Sequence, residues 1–160
     1  MHISIFAIGR LKRAPEEDLV RDYTSRLTKH GRHVGISGAS VREFAESNAS
    51  TAEQRKSQEA KTLIASLPDK AKLIALDERG DNLTSQKFAG LVQNSLDNAD
   101  RDLVFVIGGP DGLDDSIIRM ASAKLSFGKL TWPHRLVRVM LSEQIYRAVT
   151  ILVNHPYHRE

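Results

Sequence analysis

Leu103–Leu113 reads LVFVIGGPDGL. An apolar run with no polar alternation fits a strand of a parallel sheet, because crossover helices cover both of its faces. The run stops at Gly108-Gly109-Pro110-Asp111-Gly112, residues that turn a chain rather than extend it. Asp114 or Asp115 can then cap a short helix toward Met120. The order strand, tight turn, helix is half of a crossover unit, and the rest of the chain repeats it.

On the C-terminal side, Ala123–Phe127 reads as another short strand. The last helix starts near His134 and turns Val137, Leu141, Ile145, Ala148, Val149 and Leu152 inward. On the N-terminal side, Thr84 can cap a helix whose inner face is Phe88, Leu91, Val92 and Leu96. Before it, Lys72–Leu76 (KLIAL) is a strand leading into a polar turn, Asp77–Asn82. Ser50 with Glu53, or Thr51 with Gln54, opens a polar helix bearing Ala60, Leu63, Ile64 and Leu67 on one face. A short strand is expected within Val34–Val41. Pro15 starts the first helix, acids follow it, and Leu19, Tyr23 and Leu27 form its inner stripe. Gly31 can supply that helix's left-handed stop. His2–Ile8 is the opening strand. Strands alternating with helices predict an α/β fold, a mainly parallel sheet flanked by helices. No repeat or linker interrupts it, so one domain over 1–160 is expected.

Composition narrows the chemistry. The chain has 160 residues, 41% hydrophobic and 27% charged, which disfavours disorder. With Cys 0 it has no disulfide, thiolate zinc site or cysteine nucleophile. No signal-peptide pattern and no membrane-length apolar run is visible, so a soluble, cytoplasmic protein is expected. The net +3 is unevenly spread. Residues 119–160 carry seven Lys/Arg against two acids, whereas residues 1–118 carry sixteen against eighteen. The partner is therefore expected at the basic C-terminal third.

Two loops follow strands and would share a sheet edge, where α/β proteins bind ligands. Gly108–Gly112 either lets a ligand approach the backbone or is a turn shaped only by its dihedral angles; it matches no dinucleotide or P-loop pattern. Ser126–His134, SFGKLTWPH, forms the second wall, and the Trp132 side chain is read as core packing. His134 at a helix start can accept a proton or cap the helix. Arg138, one turn on, can face the cleft, as can Arg135; the alternative for each is a solvated charge. His155-Pro156-Tyr157-His158-Arg159 combines cations, imidazoles and a stacking ring, a set suited to RNA. Metal binding by His155 and His158 is the weaker reading, since no carboxylate but Glu160 is near.

FVIGGPDGL, LSFGKLTWPHRLVRVMLSEQIYRA and the terminal HPYHRE, in that order, resemble the bacterial large-subunit ribosomal RNA pseudouridine N3-methyltransferases of the SPOUT superfamily. The likeness extends over essentially the whole chain and is strongest in residues 104–160. It implies a deep C-terminal trefoil knot and an S-adenosyl-L-methionine site built by the knot loops. It also implies a homodimer acting on 23S rRNA within the ribosome; a sulfonium donor that becomes neutral on transfer needs no metal, and no membrane partner is expected. Cofactor contacts would fall on Leu76, Gly108, Gly109, Phe127, Gly128, Lys129, Leu130, Thr131 and Trp132. Catalytic candidates are His134, Arg138 and His158. RNA contacts would come from Arg135, Arg138, His155, Tyr157, His158 and Arg159, with the tail completing the neighbouring subunit's site.

Gly128 stands where such proteins usually carry a side chain, which implies a more mobile loop; Arg135 stands where they often carry proline. A non-catalytic ribosome-binding or assembly protein is the alternative function. A nucleotide-binding oxidoreductase is a third, without a dinucleotide fingerprint to support it.

Overall fold

The computed structural model describes residues 1–12 and 14–158. Its elements are β1 (His2–Ile8), α1 (Pro15–Gly31), β2 (Gly38–Phe44), α2 (Ala52–Ser66), β3 (Lys72–Asp81), α3 (Ser85–Asp97), β4 (Asp102–Ile107), α4 (Asp115–Met120), β5 (Ala123–Leu125) and α5 (His134–Leu152). The strands pair in parallel, in the order β2-β1-β4-β3-β5. The expected α/β architecture with a parallel sheet flanked by helices is what the chain forms.

Alternation along each strand sorts the core into two layers. Ile3, Ile5, Leu103, Phe105 and Ile74 meet Leu27 of α1, Phe88 of α3 and Leu141 and Ile145 of α5 on one face. Phe6, Ile8, Val104, Val106 and Leu73 meet Ala60 and Leu63 of α2 and Ile117 of α4 on the other. Burial on both faces explains why LVFVI shows no polar alternation: Leu103 through Ile107 are all at most 2% exposed.

Local signals worked where a polar side chain had a helix end to satisfy. Thr51 accepts from Gln54 N–H, Thr84 from Lys87 N–H and Asp114 from Ser116 N–H. Several boundaries differ. The second strand is Gly38–Phe44, displaced from Val34–Val41 because Arg32–Val34 forms a 3-10 turn. The left-handed stop is Gly35, φ 86°, whereas Gly31 keeps helical angles. Leu19 is 48% exposed, and Val20 takes its place on the buried stripe of α1.

The expected polar turn after KLIAL is instead an outward detour of β3. Leu76 and Asp81 both pair with Leu125, so residues 77–80 bulge from the sheet and return to the same partner. Gly80 makes this possible, since a Cβ there would lie 2.6 Å from Leu125 backbone atoms. Ser126 N–H donating to Asp81 O closes the detour. β5 consequently ends at Leu125 rather than Phe127, and the chain is free to form the loop that walls the site.

Candidate active site

β3, β4 and β5 deliver their carboxyl ends to one cavity of about 430 Å³. Gly108–Leu113 forms one wall and Leu125–Trp132 another, with Leu76 between them and His134 and Val137 of α5 below. Of the residues expected to hold a cofactor, Leu76, Gly108, Gly109, Phe127, Gly128, Leu130, Thr131 and Trp132 all line it. Lys129 is exposed and does not. A larger hollow of about 860 Å³ between α1 and β2 shares no lining residue with this cavity.

The glycine turn is explained by its own packing. A Cβ on Gly108 would lie 2.7 Å from the Gly112 carbonyl carbon, because the turn closes on itself and Gly112 N–H donates to Gly109 O. A Cβ on Gly109 would press Ile8 at 3.0 Å. Gly112 has φ 84°, open to glycine at little cost. Dihedral angles and close backbone approach therefore account for all three glycines. Gly108→Ala should open the turn, costing about 2 kcal/mol by overpacking and reducing ligand binding in the cavity. Chemical denaturation and calorimetry check the pair of effects.

One ion pair braces this wall and a second stands on the β3 detour. Arg55 of α2 grips Asp111 with a fork of 2.6 and 2.9 Å, and its remaining donor reaches Ala49 O. The guanidinium holds the Asp111 carboxyl below its usual range. Below it, Glu59 is 7% exposed and accepts from Ser47 N–H; burial pushes its carboxyl up. Arg79, on the β3 detour, holds Asp77 likewise below the ordinary range.

The second wall is a tethered loop. Ser126 Oγ accepts from Gly128 N–H and donates to Gly128 O. Gly128 adopts φ 115°, a conformation side-chain-bearing residues rarely take, so the glycine serves a defined backbone shape. Trp132 is not core: it is 37% exposed and turned toward the cavity, with Leu130 at 73% beside it. Pro133 caps α5 without a side-chain bond, so His134 is not a helix cap and its ring stands at the cavity.

Arg138 is the main correction. Its spacing lets it face the cleft or stand as a solvated charge, and instead it is 1% exposed. Its guanidinium donates to Glu43 at 2.6 Å and to Ile8 O and Gly9 O. Helical spacing from His134 did not bring Arg138 to the cavity, because its guanidinium is taken up by Glu43 and the end of β1. No RNA phosphate can reach that group.

The tail is also docked rather than free. Tyr157 OH donates to Glu143 of α5, its ring lies 4.8 Å from Tyr146, and Arg147 stands 5.0 Å above it. His155 meets His30 of α1 edge-on at 4.8 Å and accepts from Tyr157 N–H. His158 faces Gln86 of α3. Arg159 lies outside the described residues. Glu143 and Gln144 line a second cavity, also about 430 Å³, that shares Leu125, Ser126 and Phe127 with the first. Glu143 and Arg147 were not singled out in the sequence, where i,i+4 charges read as ordinary helix-surface pairing. Their signal was the tyrosine of the tail returning to them.

A parallel sheet whose strand ends wall a cavity with a glycine turn and a tethered loop defines a ligand-binding α/β protein. The family model described as "Predicted SPOUT methyltransferase" matches residues 1–158, and the chain belongs to that family. Relatives named ribosomal RNA large subunit methyltransferase H, from Rhizobium leguminosarum bv. trifolii and Agrobacterium fabrum, are each 54% identical over 159 residues, spanning 99% of this chain and 99% of their own. A solved methyltransferase from Legionella pneumophila with bound SAM aligns over 92% of this chain and 66% of its own, at 12% identity and TM-score 0.45, too distant to transfer residues or chemistry.

Proposed function

We propose that this chain is an S-adenosylmethionine-dependent methyltransferase that modifies N3 of a pseudouridine in 23S rRNA on the assembled ribosome. The observation that carries the reading is the end-to-end 54% identity to proteins named ribosomal RNA large subunit methyltransferase H. The cavity suits the cofactor in size, since small-molecule sites run from about 300 to 1,000 Å³. It suits it in chemistry too: Leu76, Leu125, Leu130 and Trp132 offer apolar surface for a nucleobase, and the charged rim from Lys56 to Arg79 suits an amino-acid end.

Bound there, S-adenosylmethionine would supply an electrophilic methyl group. Phe127–Trp132 would wall its base, and the Gly108–Gly112 turn would fix the other end. His134, at the cavity floor, would accept the N3 proton, and alignment of the two reactants would contribute much of the rate. His158 is the second candidate base, supplied by the tail. Arg135 is exposed on the first turn of α5 and would meet RNA phosphate, as would Arg159. In the same reading residues 1–160 form one domain. The loops at 108–113 and 125–132 belong to a C-terminal trefoil knot, and two copies form a cytoplasmic homodimer in which each tail serves the other's site. Among the described residues no helix is long and apolar enough to cross a membrane, and no group of His and acids is arranged to hold a metal.

Methyl transfer from labelled cofactor to ribosomes, separated subunits and free RNA, with the modified nucleotide mapped, tests the function. Labelling of a large-subunit pseudouridine is expected; no label in any substrate overturns the reading in favour of a non-catalytic ribosome-binding protein. Single-turnover rates with His134→Ala and His158→Ala locate the base. A loss of about 100-fold is expected in one of them, and normal rates in both would remove the histidines from that role.

A further inference from the structure

We propose that Lys56 of α2 is the cation that binds the α-carboxylate of S-adenosylmethionine, fixing which way round the cofactor lies. The inference rests on the reading of the cavity as that cofactor's site. Lys56 lines the cavity yet makes no hydrogen bond or ion pair among the described residues. Lys56 is half-buried, so its stem lies along the wall while its ammonium is left for the cavity.

The reason it is free lies in its neighbours. Asp111 and Asp114 both lie within its electrostatic reach. Arg55, the adjacent residue on α2, takes both oxygens of Asp111. Asp114 is held by the N–H and the hydroxyl of Ser116 as the cap of α4. Across the wall, Asp77 is gripped by Arg79. Asp111, Asp114 and Asp77 are therefore already engaged, and the ammonium remains available to an anion entering the cavity. Of the groups on S-adenosylmethionine, only the α-carboxylate is anionic. Lys56 stands on the side of Asp111, so the amino-acid end lies over the Gly108–Leu113 turn. The base then falls to the apolar loop ending at Trp132.

Calorimetric titration of wild type and Lys56→Gln with three ligands tests this: S-adenosylmethionine, S-adenosylhomocysteine and 5′-methylthioadenosine. The second keeps the carboxylate and lacks the positive sulfur; the third lacks the carboxylate. Lys56→Gln should weaken the first two by roughly tenfold, the size of one charge-assisted contact, and leave the third within twofold. Lys56→Arg should recover most of the loss. Equal weakening of all three would mean that Lys56 merely supports the turn, and would overturn the proposal. Unchanged binding of all three with a raised KM for ribosomes would assign it to RNA and also overturn it. If wild type binds none of the ligands, the cofactor reading itself fails, an outcome distinct from a failure of Lys56 alone.

Discussion

Arg138→Met should lower stability by about 3 kcal/mol, the low end of what breaking a buried ion pair costs. The guanidinium joins three elements: it stands on α5, neutralises Glu43 of β2 and donates to the last carbonyls of β1. Burial pulls its basicity down and Glu43 opposes that, so the charge is tolerated only because the pair exists. Methionine fills much of the volume but leaves the Ile8 and Gly9 carbonyls without that donor. Glu43 keeps only the Leu11 N–H, although with its side chain 30% exposed it can partly rehydrate, which sets the low end. In urea the midpoint should fall by about 1–2 M, for slopes of about 2 kcal/mol/M. Glu43→Gln alone should also destabilise, by leaving a buried cation uncompensated. The double variant Arg138→Met with Glu43→Gln should lose at least about 1 kcal/mol less than the sum, the signature of a direct pair. If Arg138 instead held RNA, stability would stay within about 0.5 kcal/mol of wild type and only the KM for ribosomes would rise. That result would overturn the structural role.

The contrast between Arg138 and Trp132 shows what the sequence could reveal. Periodicity placed both correctly along the chain, and strand–helix alternation with LVFVI sufficed for a parallel α/β sheet. Caps at Thr51, Thr84 and Asp114 were legible because each is a local bargain between a side chain and a nearby N–H. What periodicity lacks is the partner's shape. An arginine is usually solvated and a tryptophan usually buried, and both expectations failed here. The end of β1 offered carbonyls and a carboxylate to the guanidinium, while the β3 detour left the loop at 126–133 outside the core. That detour depends on Gly80 approaching Leu125, a contact between residues distant in sequence. The cavity was legible as two loops on one edge. Lys56 was not, because its availability depends on the pairing of Asp111 and Asp114, which spacing does not record.

Removing Pro156–Glu160 should reduce methylation by more than about 100-fold, the scale of losing a positioned catalytic or orienting group, while S-adenosylmethionine binding stays within about threefold. The structure explains why the two readouts separate. The cavity proposed for the cofactor is walled by residues up to Val137, whereas the tail packs on Tyr146, Glu143 and Arg147 farther along α5. Truncation exposes Tyr146 and removes the Tyr157 hydroxyl from Glu143, a loss of about 1–2 kcal/mol. Leu141, Ile145 and Val149, at 0% exposure, keep α5 in the core. Urea denaturation should therefore find a folded, moderately weakened protein, and full methylation by it would show the tail to be packing alone. Whether the tail serves its own chain or its neighbour is decided by hybrids. A truncated chain paired with a Gly108→Ala chain has one intact cavity and one intact tail, on different subunits. Activity near half of wild type would place the tail across the interface; activity no greater than that of either parent would place it on its own chain and refute the composite site.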